Sequence, residues 1–199
     1  MDAYQTIAGH FQDTLETIAM SVDSLAPGIT ASGTTMANAL LNDGKIIACG
    51  NGPDAHVAQL FSSHLLSRYE ADRPALPAFT LGADSTAAGA IAQNAGNNEV
   101  FSRPIRALGN EGDVLFCINS SSGAPNLLRA VQAARERNMS IVLLSNAEER
   151  ELNTLLEADD IVVQVASDQR GKTIELHTMI VHCLCKLIDH SLFGQFTAE

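Results

Sequence analysis

The chain has 199 residues, 46% of them hydrophobic, and twelve basic against twenty-three acidic side chains give a net charge of -11. That length suits one domain with a sizeable core, and the negative field disfavours nonspecific binding to nucleic acid or to an acidic membrane surface. No apolar run is long enough to span a bilayer, and the first residues lack a basic and then apolar leader, so a cytoplasmic protein is expected. The four cysteines, Cys49, Cys117, Cys183 and Cys185, lie inside apolar segments. They read as buried thiols rather than as a disulfide framework or a zinc site.

From the amino end, Ile7, Phe11, Leu15, Ile18, Val22 and Leu25 recur at helical spacing. Pro27-Gly28 is expected to end this helix, with a second one over about residues 29–41. Residues 1–43 thus read as a helical extension, suited either to an oligomer interface or to packing on the domain's own core, and residues 44–199 as that core. The apolar run from Ile46 to Cys49 then meets Gly50-Asn51-Gly52 and Pro53-Asp54, the pattern of a buried strand, a tight turn and a helix with proline near its start. Such a unit presents free backbone N–H groups to an anion, which makes Asn51 and Gly52 candidate ligand contacts.

A helix over about residues 54–69 leads past Arg73-Pro74 to a short strand at 78–81. Small residues through Ile91 and then residues 99–108 read as helical. Asp113 to Asn119 repeats the strand logic, and Ser120-Ser121-Ser122-Gly123 stands at the mouth of a helix over about 125–138. Hydroxyls here take the part of the glycines, so Asn119, Ser120, Ser121 and Ser122 form a second candidate anion site. Anion binding is favoured over a nucleophile, since no His–Asp arrangement is legible beside them. Strands at 140–144 and 161–165, a polar helix at 148–157, a polar loop at 168–172 and an apolar helix at 173–193 complete the chain. Arg129, Arg135 and Arg137 read as a solvated face, and His56, His177 and His190 as surface or packing residues. Alternating strands and helices predict an α/β fold, a three-layer αβα sandwich around a five-stranded parallel sheet. Ligands in such sheets bind beyond the carboxyl ends of the strands at a topological switch point.

Cys49-Gly50-Asn51-Gly52, Arg73-Pro74-x-Leu76-Pro77, the stretches from Glu99 to Arg103 and from Arg106 to Leu115, and Cys183 to Asp189 together resemble the sugar isomerase (SIS) domain family. Its bacterial phosphoheptose isomerase and DnaA initiator-associating group is the most similar part, and the resemblance covers nearly the whole chain. It implies a flavodoxin-like SIS domain over residues 1–199, a cytoplasmic homotetramer with sites at subunit interfaces, and a phosphorylated sugar as ligand. The family's isomerases convert sedoheptulose 7-phosphate to a glycero-manno-heptose 7-phosphate through an enediol-type intermediate. That reaction needs a base and an acid, and a metal can polarise the carbonyl.

In the family a Glu on the helix after the first turn and a His on the last helix move the proton, and a further His and a Gln join them around zinc. Matched position by position, the Glu position holds His64, the earlier His position Leu60 and the Gln position Ile174, while His182 is kept. The resemblance therefore implies that the family's zinc ligands are mostly lost, so no cofactor is expected, and leaves His64 and His182 as catalytic candidates, an acid/base pair or the remnant of a zinc site. The family's Asn-Asp pair after the second strand reads Gln93-Asn94, which makes Asn94 a ligand candidate. At the first turn Pro53 removes a donor, and Asp54 puts a carboxylate where a serine is usual. At the second, ungapped alignment sets Asn119 and Ala124 at family serines, whereas a shift by one recovers Ser120 to Gly123 as Ser-x-Ser-Gly. Two functions follow from the resemblance: a phosphosugar-binding regulatory protein with DnaA as a candidate partner, or an active isomerase working through His64 and His182.

Overall fold

Strand residues point alternately to the two faces of a sheet, and the apolar runs of this chain supply a core on each face. The computed structural model describes residues 2–194. Its strands are β1 (Ile46–Gly50), β2 (Ala78–Thr80), β3 (Val114–Ile118), β4 (Ser140–Asn146) and β5 (Ile161–Val165). The helices are α1 (Ala3–Leu41), α2 (Pro53–Leu66), α3 (Ser85–Ala95), α4 (Ser102–Leu108), α5 (Pro125–Glu136), α6 (Glu151–Thr154) and α7 (Arg170–Phe193). All strand pairs are parallel, in the order β2-β1-β3-β4-β5. The expected five-stranded αβα sandwich is therefore the observed fold, with its switch point between β1 and β3.

On one face Ile46, Ala48, Phe116, Val142 and Val163 pack with Phe61 of α2, Met36 of α1 and Ile180 of α7. Phe61 and Phe116 meet edge to face with centroids 4.8 Å apart. On the other face Ile47, Cys49, Leu115, Cys117 and Leu143 pack with Phe101, Ile105, Leu127 and Val131. Among the described residues no helix is long and apolar enough to cross a membrane.

The amino-terminal extension is one helix, not the two expected on either side of Pro27-Gly28. A proline inside a helix forfeits a backbone hydrogen bond. Packing outweighs that loss here, because Gly28 lets α1 lie directly on β5: a Cβ at Gly28 would stand 3.2 Å from the Val162 carbonyl oxygen and from Val163 Cγ2. The helix expected at 148–157 shrinks to α6 because side chains take its backbone donors. Asn146 Oδ1 accepts from Glu148 N, and Glu149 Oε1 accepts from Leu152 N, both at 2.9 Å. Arg135 is likewise not simply solvated, since it pairs with Glu157 at 2.6 Å and with Asp160 at 2.7 Å. The last residues of the expected core, 195–199, lie outside the described residues.

Candidate ligand site at the β1/β3 switch point

Gly50 ends β1 and α2 folds back over it so closely that a Cβ at Gly50 would stand 2.8 Å from the Asp54 carbonyl carbon and from Asp54 Cβ. Gly52, with φ of 55°, is the N-cap of α2, and Pro53 opens the helix without an N–H to spare. This backbone turns the Asp54 side chain inward, where it is fully buried. Its Oδ2 accepts a hydrogen bond from the Ser120 backbone N–H at 3.1 Å, and its buried Oδ1 has no partner. Arg170, at the start of α7, donates from Nε to Ser120 Oγ at 3.2 Å and brings a terminal nitrogen to 4.0 Å from Asp54 Oδ2. Burial raises the Asp54 carboxyl above its ordinary range, against the opposing pull of Ser120 and Arg170.

The rest of the second turn is held by its own side chains. Asn119 donates to Glu149 Oε2, while its Oδ1 accepts from the N–H of Ser121 at 3.4 Å and its hydroxyl at 3.3 Å. Ser122 and Gly123 are exposed. Asn51 exchanges two amide hydrogen bonds with Asn126 of α5, at 2.9 and 2.8 Å, which ties the first turn to the helix after the second. Beside this pair opens a cavity of about 360 Å³ lined by Asn51, Gly52, Leu81, Asn97, Phe101 and Asn126 among others. Asn51, Gly52 and Ser120 thus converge at the switch point, whereas Asn94 is exposed on α3 and it is Asn97 that lines the cavity.

A second, open groove of about 580 Å³ runs between α2 and α7, lined by Pro53, His56, Val57, Leu60, Ile174 and Thr178. Further along the same helices the rings of His64 and His182 meet edge to face at 5.6 Å, with Tyr69 stacked on His182 at 5.5 Å. His64 Nε2 is buried without a hydrogen-bond partner. A zinc ion asks for three or four N, S or O donors converging at about 2 Å. Leu60 and Ile174 offer none and His56 turns to the Gly52 carbonyl, so the paired imidazoles of His64 and His182 fall short of the three donors such an ion needs. Among the described residues no three His, Cys, Asp or Glu side chains cluster as a metal site.

A doubly wound α/β domain with two polar turns meeting at its switch point is an αβα architecture of the class that takes small ligands at that place. The chain belongs to the sugar isomerase (SIS) domain family: the SIS domain matches residues 10–146. It is 44% identical to a phosphoheptose isomerase of Halorhodospira halophila and 41% identical to one of Chromohalobacter salexigens, each over 98% of both chains. The structure of a phosphoheptose isomerase from Francisella tularensis superimposes with a TM-score of 0.92 at 34% identity, covering 96% of this chain and 100% of that one. Another, from Neisseria gonorrhoeae, gives 0.89 at 31% identity, covering 94% and 99%.

Sequence reasoning missed Arg170, Asn126 and Asn97. Arg170 sat in what read as a polar loop, and only the tertiary fold brings it to Ser120, fifty residues away.

Proposed function

We propose that this chain is a phosphosugar-binding SIS-domain protein whose proton-transfer and metal positions have been substituted, so that it binds a phosphorylated sugar at a regulatory site without isomerising it. Its nearly full-length likeness to phosphoheptose isomerases supports the ligand class. The observation that supports the loss of chemistry is the α2–α7 groove, lined by Leu60 and Ile174 where the resemblance implies a His and a Gln, and by no carboxylate. An enediol mechanism needs a base and an acid held against adjacent substrate carbons, whereas the His64 and His182 rings face each other and His64 Nε2 is buried.

The protein works as a homotetramer in this reading, with residues 1–43 at the subunit interface. Support comes from α1, whose Tyr4, Ile7, Phe11, Leu15 and Met20 are each more than half exposed, an apolar row that soluble monomers rarely leave open. DnaA is the protein partner that the resemblance offers, tested by pull-down with and without sedoheptulose 7-phosphate.

The deciding experiment restores the substituted positions together, as Leu60→His, His64→Glu and Ile174→Gln. The restored variant is expected to gain zinc binding and turnover of sedoheptulose 7-phosphate. Turnover by the natural chain would overturn the reading. The contact between His64 and His182 favours one alternative, an isomerase that uses the two imidazoles as acid and base. It requires that His64→Ala and His182→Ala each abolish turnover while the oligomer persists.

A further inference from the structure

The second turn offers an incoming anion fewer donors than its serines suggest. The Ser120 N–H already serves Asp54 Oδ2, and the Ser121 N–H and hydroxyl serve Asn119 Oδ1. The first turn has lost a donor to Pro53. A negative group is therefore seated at the head of the turn already, and it belongs to the protein. Its other oxygen, Oδ1, is buried and unpartnered, so the carboxylate is one hydrogen bond short of satisfied.

We propose that Asp54 is the built-in occupant of the anion seat at Ser120, and that a ligand phosphate enters only as Asp54 takes up a proton or gives up the Ser120 N–H. This rests on the reading that a phosphorylated sugar is the ligand, and it assigns to Asp54 the control of that ligand's affinity. A dianionic phosphate and an ionised carboxylate cannot share one donor set in a buried place without strong mutual repulsion. Protonation removes the repulsion and gives Asp54 a hydrogen to donate.

Few other groups face Asp54. From α7 comes Arg170, half exposed and already bonded to Ser120 Oγ, which steadies the carboxylate without satisfying Oδ1. From the sheet come the Cys49 and Cys117 thiols, register partners on β1 and β3. The Cys117 thiol is pushed up by its hydrogen bond to Cys49, by burial, and by the carboxylates of Asp54 and Glu149, so it stays neutral. On α2 itself His56 turns to the Gly52 carbonyl. Glu149 reaches the same turn through Asn119, but Asp54 is the carboxylate bonded to the Ser120 N–H, and burial moves its loss of charge to a higher pH than that of an exposed aspartate.

The test is calorimetric titration of sedoheptulose 7-phosphate into the natural chain, Asp54→Asn and Asp54→Ser at about pH 5.5 and about pH 8, on either side of the sugar phosphate's own titration. At the higher pH both variants are expected to bind about tenfold tighter or more, a gain of about one decade in Kd. The natural chain is expected to close that gap on acidification and to take up more protons on binding than Asp54→Asn, which shares the ligand's own titration. Equal affinity and equal proton uptake in all three proteins would overturn the role of Asp54 while leaving the phosphosugar reading intact. Absence of binding in all three would remove the phosphosugar reading and this inference with it. Thermal melts of the two variants establish that they are folded.

Discussion

Replacing Asp189 by alanine should be among the most damaging single changes away from the candidate site. Arg73, in the loop after α2, has a fully buried side chain whose Nε donates to Asp189 Oδ1 of α7 at 2.8 Å. Its other nitrogens donate to the carbonyls of Leu65 at 2.7 Å, His64 at 2.8 Å and Pro74 at 3.0 Å. One guanidinium therefore closes the carboxyl end of α2 and pins it to α7, the two helices that carry His64 and His182. Asp189→Ala leaves the carbonyls in place but strands a buried positive charge, a change that costs about 3–5 kcal/mol. For a chain of this size each kcal/mol lowers Tm by about 2–4 °C, so the melting transition should fall by about 6–20 °C. Urea unfolding followed by circular dichroism measures the loss, and the double variant Arg73→Met with Asp189→Leu should recover only the part due to the stranded charge, since it also takes the donor from the carbonyls of His64, Leu65 and Pro74. A loss below about 1 kcal/mol in Asp189→Ala would refute the reasoning, since that is the worth of an exposed pair.

Other outcomes follow from the same structure. His177 is buried, and since its Nε2 lies 3.2 Å from the Ser145 carbonyl, which only accepts, Nε2 carries the hydrogen while Nδ1 is left unpartnered. Burial lowers its pKa from 6.5 to about 4, so the unfolded chain takes the proton first as the pH falls. Stability is then lost between about pH 6.5 and about pH 4, by roughly 3 kcal/mol at about 1.4 kcal/mol per pH unit; comparing urea midpoints of the natural chain with His177→Met across that window isolates the effect, and parallel curves would contradict it. Asp54 runs the other way: its folded pKa lies above the unfolded 3.8, so its contribution to stability is present at low pH and lost as pH rises through the raised value. Asp54→Asn should therefore melt higher than the natural chain near neutral pH. On α1, Phe11→Glu and Leu15→Glu set charges in the exposed apolar row and should split the proposed tetramer, read by light scattering.

The framework was legible because its signals are local and periodic. Ile161 to Val165 is a strand to the residue, and the two polar turns stand where the apolar runs of β1 and β3 end. The flanking motifs Arg73-Pro74 and Cys183 to Asp189 also found their meaning in the fold, because Arg73 and Asp189 are partners. What failed were judgments that tertiary contacts decide. Pro27-Gly28 has the local chemistry of a break, yet lies inside α1 because β5 is packed against the glycine. The three residues after Asn119 read as a row of free hydroxyls, whereas Asn119 and Asp54 already engage the head of that turn. Arg170 had no signal at all, since its partner lies fifty residues away in sequence.

The most direct test of the central claim is one ligand-observed NMR experiment, in which sedoheptulose 7-phosphate is incubated with the natural chain and zinc and followed over time. Broadened sugar resonances with no new heptose signals are the expected result: a pocket that binds and does not turn over. Accumulation of the isomer at an ordinary enzymatic rate, abolished by His182→Ala, would contradict the account and establish an isomerase rebuilt around its two histidines.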